Sequence, residues 1–488
     1  MIVFTKKRIK EVSKLTKQNK TRLRRGCKKG NIKQKTVRIL DKYFTGESIT
    51  YQEIITIIIP ILVDQAFLIL MSLLNTAMIA SAGVAAVSAV NMVDSLNIFL
   101  VNVFIAIATG GTVIVAQYKG IGDRKMVTKT ATQAVSAVTL FSIVLSAAVI
   151  IFNGPILNVL FGDAEREVLE NAKLYLIGSC FSYPFIAIYQ AVCGGLRGVG
   201  ETKPVLGLSL LMNLTNTILN IIFIIIFNFG VLGLVISVIS ARIVGMVASL
   251  LYIIRYNDTI RFQIKNALHL DFTILKKVMF IGIPFAAEQL FFNGGKLITQ
   301  TFIVKLGTLA LTANAIAGSL TLLFQIGPNA LSIAIVTVVG QCIGRRNIKD
   351  ARRFTTSFIF LSSIFFVVTV VMLMPFFPLL MKMFSAPNEI IGTIFIIVLM
   401  TAVAQPILWA PAFLMPSALR AAGDSNFTSI ASLLSMWFVR VILGYILGVT
   451  LGFGIIGVWV AMIIEWSIRG VVFYLRFRGE KWYQHKLV

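Results

Sequence analysis

The sequence predicts an all-α integral membrane protein with twelve transmembrane helices in two six-helix lobes related by a parallel internal repeat. Three observations lead to this prediction: the composition, a series of long apolar segments, and the match of the chain to itself after a shift of 224 positions. Of the 488 residues, 57% are hydrophobic and 13% are charged. The mean hydropathy of +0.87 is far above that of soluble domains.

Apolar segments long enough to cross a bilayer recur along most of the chain. A helix needs about 20 mostly apolar residues to span the hydrocarbon core. The alternating pattern of an outer-membrane barrel is missing, so the spans are predicted as helices. The twelve predicted spans are 53–80, 88–116, 128–151, 169–194, 204–227, 230–254, 276–302, 309–339, 354–380, 391–417, 427–449 and 453–475.

The first half of the chain aligns with the second half. IPILVDQAFL at 59–68 meets IPFAAEQLFF at 283–292, which pairs Asp64 with Glu288. Further along, the register slips by one residue, and LRGVGE at 196–201 matches LRAAGD at 419–424 at an offset of 223. Because six helices return the chain to its starting side, both copies enter the membrane in the same direction, and such parallel repeats place the ligand site between the lobes. We expect an N-lobe at 51–254, a linker at 255–275, a C-lobe at 276–478 and a short tail at 479–488.

The net charge of +25 is concentrated at the start of the chain. Residues 1–50 contain 16 Lys and Arg but only three acids, with neither a signal-peptide core nor the aromatic residues of a nucleic-acid-binding fold. We therefore expect a cytoplasmic tail that contacts anionic lipids, and no nucleic-acid partner. Basic residues, including Lys125, Arg197 and Arg346, also fall in alternate connections. The positive-inside rule then predicts a multi-pass protein of the plasma or inner membrane with both termini cytoplasmic.

Asp64 and Glu288 are the candidate coupling residues. Each lies near mid-membrane by its distance from the helix start, where an acid usually faces a cavity, an ion or a partner. A carboxyl group that is charged or protonated according to what is bound can couple an organic cation to Na+ or H+. The alternative is a fixed ion pair with a basic residue of the membrane helices. The candidate partners are Lys296, Arg242, Arg440 and Arg469.

Further polar residues near these acids are secondary candidates for lining a cavity. They are Gln65, Asn75, Gln289, Asn293, Lys296 and Asn220. Hydrogen bonding between helices is the equally open alternative for the amides. No metal site is predicted beyond Na+ near Asp64 or Glu288.

Several function classes lack the residues that they need. Four cysteines without paired spacing and two histidines give no zinc or Cys–His site. GGLRGVGETKP at 194–204 lacks the G-K-[S/T] ending of a phosphate-binding loop, so an ion gradient is the expected energy source. With no nucleophile–base pair, an enzyme is not predicted, nor is a cofactor.

The paired loops resemble those of the multidrug and toxin extrusion (MATE) family. The resemblance rests on LRGVGETKP and LRAAGDSNF, on AQYKGIGD at 116–123 and GQCIGRRN at 340–347, and on LGTLALTANAIAGS at 306–319. It covers about residues 53–478 and implies a V-shaped exporter, expected to be a monomer, that exchanges small organic cations for Na+ or H+. Glu288, four residues after Pro284, matches the family pattern. Asn75 and Ile224 stand where many members have Asp, which makes Asp64 the candidate substitute.

Two other functions stay open at this point. A flippase for a lipid-linked saccharide or other lipid belongs to the same broad superfamily, and Lys296 and the membrane arginines favour it. A membrane enzyme or receptor has no large extramembrane domain to support it.

Overall fold

The computed structural model describes residues 41–80, 84–161, 165–262, 270–485 and 487–488. Within these residues one long helix, or helix pair, covers each predicted span. They are α1 Tyr51–Ala80, α2 Val84–Ile121, α3 Arg124–Ile151, α4 Arg166–Val199, α5 Thr202–Ile226, α6 Gly230–Arg255, α7 Phe272–Lys305, α8 in two parts Thr308–Phe324 and Ile326–Gly344, α9 Ile348–Met383, α10 Asn388–Ala421, α11 Ser425–Thr450 and α12 Gly454–Arg478. The predicted lipid-binding tail falls mainly on residues 1–40, outside the described ranges.

Eleven helices of the described part are long and apolar enough to cross a membrane. The helix α7 is not among them, because Glu288, Gln289 and Asn293 lower the hydropathy of its central part. Its 34 residues nevertheless exceed the roughly 20 that a crossing requires. The polar residues of α7 therefore mark a helix that faces something other than lipid.

Each lobe is built around central helices that correspond in the repeat. In the N-lobe, α2 packs along α4, which in turn packs against α3 and α6. In the C-lobe, α8 packs against α9 and α10, and α10 packs along α12. Phe104 of α2 and Tyr183 of α4 are fully buried in the N-lobe core, with ring centroids 5.5 Å apart. Both lobes thus bury apolar faces around a shared pattern of helices.

Three helices of the described part contain π-helical segments. Residues Ile221–Ile226 of α5, Gln405–Leu414 of α10 and two segments of α11, Ser435–Val441 and Ile446–Thr450, are π-helical. Such segments often occur at functional sites. Since α5 and α11 are repeat counterparts, the same irregularity occurs in both lobes.

The two lobes touch closely at the end that carries the basic connections, here called the basic end. A Cβ atom on Gly120 of α2 would lie 2.2 Å from the carbonyl oxygen of Gln341 in α8, and a Cβ on Gly344 would lie 2.0 Å from that of Gln117. Only glycine permits backbones to approach so closely. Because the repeat pairs Gln117 with Gln341 and Gly120 with Gly344, each lobe supplies the same contact to the other.

Both described ends of the chain pack at the basic end. The backbone N–H of Ser48, just before α1, donates to Asp350 Oδ2 at 2.8 Å in the first turn of α9. Arg352 of α9 donates to the carbonyl of Gly479, after α12, at 2.7 Å. The two ends of the transmembrane region thus lie on the same side, as an even number of crossings requires.

Candidate functional site

A polar cavity of about 550 Å³ lies between the lobes. Its walls come from α1, α2 and α4 of the N-lobe and from α7, α8, α10 and α12 of the C-lobe. Six of the eight predicted site residues line it: Asp64, Gln65, Glu288, Gln289, Asn293 and Lys296. The two repeat-related phrases, one in α1 and one in α7, therefore face a common space.

Asn75 and Asn220 do not line this cavity. Asn220 of α5 is buried and donates to Asn75 Oδ1 of α1 at 3.3 Å. Asn75 lies eleven residues beyond Asp64, so it faces the same way around α1 but sits about 16 Å further along the axis. Of the two readings considered for these amides, the structure gives hydrogen bonding between helices.

Asp64 is a buried carboxylate with an unused acceptor. Its side chain is 4% exposed, and Oδ1 has no hydrogen-bond partner within the described ranges. Ser209 of α5 and Arg197 of α4 are its polar neighbours. A buried acceptor without a partner is costly, so this oxygen is suited to taking up a proton or a cation.

Glu288 has the opposite environment. Arg420 of α10 donates to its Oε2 at 2.8 Å, and Arg469 of α12 donates to Oε1 at 3.4 Å. Ser429 of α11 adds a third donor at 3.3 Å. The sequence left a fixed ion pair as the alternative role of this acid, and these contacts are of that kind. Arg469 was one of the candidate partners. A carboxylate with two arginines is already compensated.

Arg197 and Arg420 are site residues that the sequence reasoning missed. They are repeat counterparts in LRGVGE and LRAAGD, and each lies within the last turns of its helix, α4 or α10. Both line the cavity. Counting Arg197 as a charge of a cytoplasmic connection was therefore wrong, because α4 continues to Val199 and turns this side chain inward. The available signal was the arginine shared by the two repeats.

Basic side chains outnumber acids around the cavity. The basic residues are Arg197, Lys296, Arg420 and Arg469, and the acids are Asp64 and Glu288. Within the N-lobe wall, Asp64 and Arg197 offset each other. The excess positive charge therefore belongs to the C-lobe.

No group of three or more His, Cys, Asp or Glu in the described ranges could hold a metal ion. Instead, ionisable groups from the two repeats face a space between lobes that are in contact at one end. This arrangement defines a membrane transporter of two parallel repeats.

Comparison with known sequences and structures identifies the family. The sequence model of the MatE family matches twice, at residues 60–222 and 284–446. The chain therefore belongs to the MatE family, as its loops indicate, and the separation of the two matches confirms the internal repeat at an offset of 224 residues. The predicted V-shaped fold of twelve helices is confirmed with it.

Relatives and solved structures agree over nearly the full length. The chain is 28% identical over 451 residues to the uncharacterized transporter YisQ of Bacillus subtilis (strain 168), covering 91% of this chain and 96% of YisQ. It is 26% identical over 439 residues to the probable multidrug resistance protein NorM of Thermotoga maritima, covering 88% and 93%. It superposes with a TM-score of 0.80 and 19% identity on an outward-facing multidrug resistance MATE family transporter of the MOP superfamily, covering 92% and 98%.

Proposed function

We propose that this protein is a secondary active efflux transporter that moves organic compounds through the cavity between its lobes. Rocking of the lobes would open the cavity to one side of the membrane and then to the other, as is usual for parallel-repeat transporters. The close glycine contact at the basic end is then the closed gate of an outward-open state. We also propose the plasma or inner membrane as its location, with the basic end and both termini in the cytoplasm.

The single observation that supports ion coupling is the unpartnered Oδ1 of Asp64 in the cavity wall. A proton or Na+ bound there would remove the cost of the buried acceptor. Arg197 interacts electrostatically with Asp64 and opposes added positive charge at that oxygen, whether proton or Na+. A guanidinium, however, offers no oxygen ligand to Na+, whereas a proton needs only the carboxylate oxygen itself. We therefore propose H+ as the coupling ion, with Na+ as the alternative outcome of the test.

Glu288 has a different role in this proposal. To take up a cation it would have to lose its contacts with Arg420 and Arg469, both buried. Removing one partner of such a buried pair costs about 3–5 kcal/mol. We propose that Glu288 holds the C-lobe side of the cavity in shape, and that Asp64 carries the coupling.

Transport into proteoliposomes tests these roles. Uptake of a fluorescent organic probe is measured with an outward-directed H+ gradient, in which the vesicle interior is acidic. The measurement is then repeated with an outward-directed Na+ gradient alone. We expect the pH gradient to drive transport and Asp64→Asn to abolish the drive. Glu53→Gln, on α1 but outside the cavity, is the matched control. Transport by Asp64→Asn that still follows the pH gradient would contradict the proposal.

The substrate class stays a prediction. Organic cations are the substrates that the family resemblance implies, with Asp64 and Glu288 as their counter-charges. A flippase for a lipid-linked saccharide or other lipid is the second candidate, and the excess of basic side chains around the cavity favours it. Scrambling of a labelled anionic lipid between leaflets, without any ion gradient, would support the flippase instead.

A further inference from the structure

A second cavity of about 430 Å³ adjoins the central one within the C-lobe. Here it is called the C-lobe cavity. Its walls come from α7, α8, α10, α11 and α12. The two cavities share Phe292, Lys296, Asn329, Trp409 and Phe413, so they lie side by side and these five side chains border both.

Aromatic rings form much of the wall of the C-lobe cavity. They are Phe292, Trp409, Phe413, Trp459 and Trp466. The rings of Trp409 and Phe413 stack at 5.1 Å between centroids. Surfaces of this kind suit a flat apolar or aromatic body, because aromatic rings bury large areas and stack with one another.

The charges that line the C-lobe cavity have one sign. Lys296 of α7 and Arg440 of α11 are basic, and none of the described lining residues is acidic. Glu465 lies behind the wall, where it acts electrostatically on Arg440 and lies 3.6 Å from Arg469. The charge of Arg440 is thus partly offset by a residue that a ligand does not reach.

Lys296 has no such compensation. Its side chain is exposed and borders both cavities. Within the described ranges it makes no ion pair, and its Nζ lies 4.9 Å from the centroid of the Phe292 ring. An ammonium group over a ring retains its donors for a ligand. Lys296 therefore offers a positive charge and free donors where the two cavities join.

Unpartnered donors surround the same region. Trp466 Nε1 is buried without a hydrogen-bond partner among the described residues, as are Nε and Nη1 of Arg469. Arg469 lines the central cavity next to this region. Nη1 of Arg469 faces Glu465 Oε1 at 3.6 Å, and all three atoms are enclosed in the wall. They therefore add positive potential beside the cavity and do not contact a ligand directly.

The repeat shows that these basic groups are specific to the C-lobe. Subtracting the offset of 224 from Lys296 gives Ser72, and from Arg469 gives Gly245. By contrast, Glu288 corresponds to Asp64 at the same offset, and Arg420 corresponds to Arg197 at an offset of 223. The acid and the arginine thus recur in both lobes, whereas Lys296 and Arg469 have no basic counterpart in the N-lobe.

We propose that the C-lobe cavity binds aromatic organic anions, with the anionic group on Lys296 and the ring system against the tryptophan and phenylalanine wall. The carboxylate, sulfonate or phosphate group would supply acceptors to Lys296, and an organic cation of the same shape would meet Lys296 with no lining acid to offset it. This inference rests on the proposed function, because it names a substrate class for the same transport path.

Binding to the full-length protein in phosphatidylcholine nanodiscs tests the inference directly. Three ligands share a ring system and differ in charge: naphthalenesulfonate, the neutral naphthalenesulfonamide and trimethylnaphthylammonium. Calorimetry should show the sulfonate binding about tenfold or more tighter than the sulfonamide, as expected for hydrogen bonds to a charged group. Equal binding of sulfonate and sulfonamide, or tighter binding of the ammonium compound, overturns the inference.

Lys296→Met removes the charge and keeps the length of the side chain. We expect it to weaken binding of the sulfonate about tenfold and to leave the sulfonamide unchanged. Lys305→Met, at the end of the same helix and outside both cavities, is the control and should bind like the wild type. An unchanged sulfonate affinity in a folded Lys296→Met protein overturns the role of Lys296.

Two further experiments complete the test. The first asks whether the bound anion comes from a lipid, and the second asks whether the bound compound is transported. Repeating the titration in nanodiscs with phosphatidylglycerol shows whether a lipid head group competes, which would support the same anion site with a lipid as its occupant. Proteoliposome uptake of the sulfonate tests transport. Tight, Lys296-dependent binding without gradient-driven uptake supports the inference while it contradicts the proposed function.

Discussion

The glycine contact at the basic end gives a sharp prediction about the conformational equilibrium. Substitution of Gly120 and Gly344 by Ala places Cβ atoms 2.2 Å and 2.0 Å from carbonyl oxygens of the opposite lobe. Both neighbours are backbone atoms, so relief requires the lobes to separate by about 1 Å or more to reach normal contact. The closed gate should therefore be destabilised relative to a state with the basic end open.

The magnitude follows from two contributions. Overpacking of a tight contact costs about 1–3 kcal/mol. Separation also breaks the bonds from Gln117 Nε2 to the carbonyl of Ala421, at 2.8 Å, and from Gln341 Nε2 to that of Gly198, at 3.2 Å. Each hydrogen bond contributes about 1 kcal/mol. At the lower limit, about 1 kcal/mol of overpacking and about 2 kcal/mol of lost hydrogen bonds give about 3 kcal/mol, which is a shift of roughly a hundredfold in the ratio of the two states.

Distances between spin labels measure this shift. Labels at Lys125→Cys and Lys349→Cys, in a background without the four native cysteines, lie on exposed, repeat-related positions at the basic end. We expect the Gly120→Ala, Gly344→Ala protein to show a longer distance by double electron–electron resonance. Gly207→Ala is the control, since its Cβ would meet nothing within 4 Å. An unchanged distance distribution in a folded double variant would refute the gate.

Three shorter predictions concern stability. Glu288→Gln leaves the buried guanidinium of Arg420 without its ion-pair partner, and we expect a loss of about 3 kcal/mol or more in chemical denaturation; an equally stable variant would contradict the pairing. The ion pair with Lys129 and the backbone N–H groups at the start of α7 hold the pKa of Asp271 below its usual range. The stabilisation by Asp271 is therefore fully present above the ordinary pKa of 3.8 and falls as the pH drops through the lowered pKa. The difference in thermal stability between wild type and Asp271→Asn should accordingly shrink in acid. Asp350→Ala removes the acceptor of the segment before α1, and faster proteolysis of that segment is the expected result.

Much of the fold was predictable because a membrane span depends on the hydropathy averaged over many residues and not on any single side chain. A span of 20 apolar residues is a strong signal, and the offset of 224 then fixes the equivalence of the lobes. That equivalence also placed Asp64 and Glu288 on one cavity without any knowledge of the packing. The same reasoning failed for Asn75, because a helical wheel gives the direction of a side chain but not its depth.

The arginines of the site could not be assigned from local sequence. LRGVGE and LRAAGD are rich in glycine and charge, and both are typical of a surface turn. In the structure, however, glycine lets the helix ends pack closely, and a Cβ on Gly198 would lie 2.9 Å from the carbonyl oxygen of Thr112. The helices therefore continue into the motifs, as far as Val199 and Ala421, and Arg197 and Arg420 turn inward. Charge counting cannot distinguish an inward from an outward arginine in the last turn of a helix.

The two repeats combine a symmetric gate with an asymmetric interior. Gln117 of α2 bonds to the LRAAG motif of the other lobe, while Gln341 of α8 bonds to LRGVG, so either lobe closes the basic end in the same way. Rocking requires this equivalence, because two similar interfaces have to form and break together. Selectivity and coupling do not require it. In the proposed mechanism, Asp64, whose Oδ1 has no hydrogen-bond partner among the described residues, binds H+, and Lys296 binds an organic anion. Protonation of Asp64 and occupancy of the Lys296 region would then act on one gate without competing for one site.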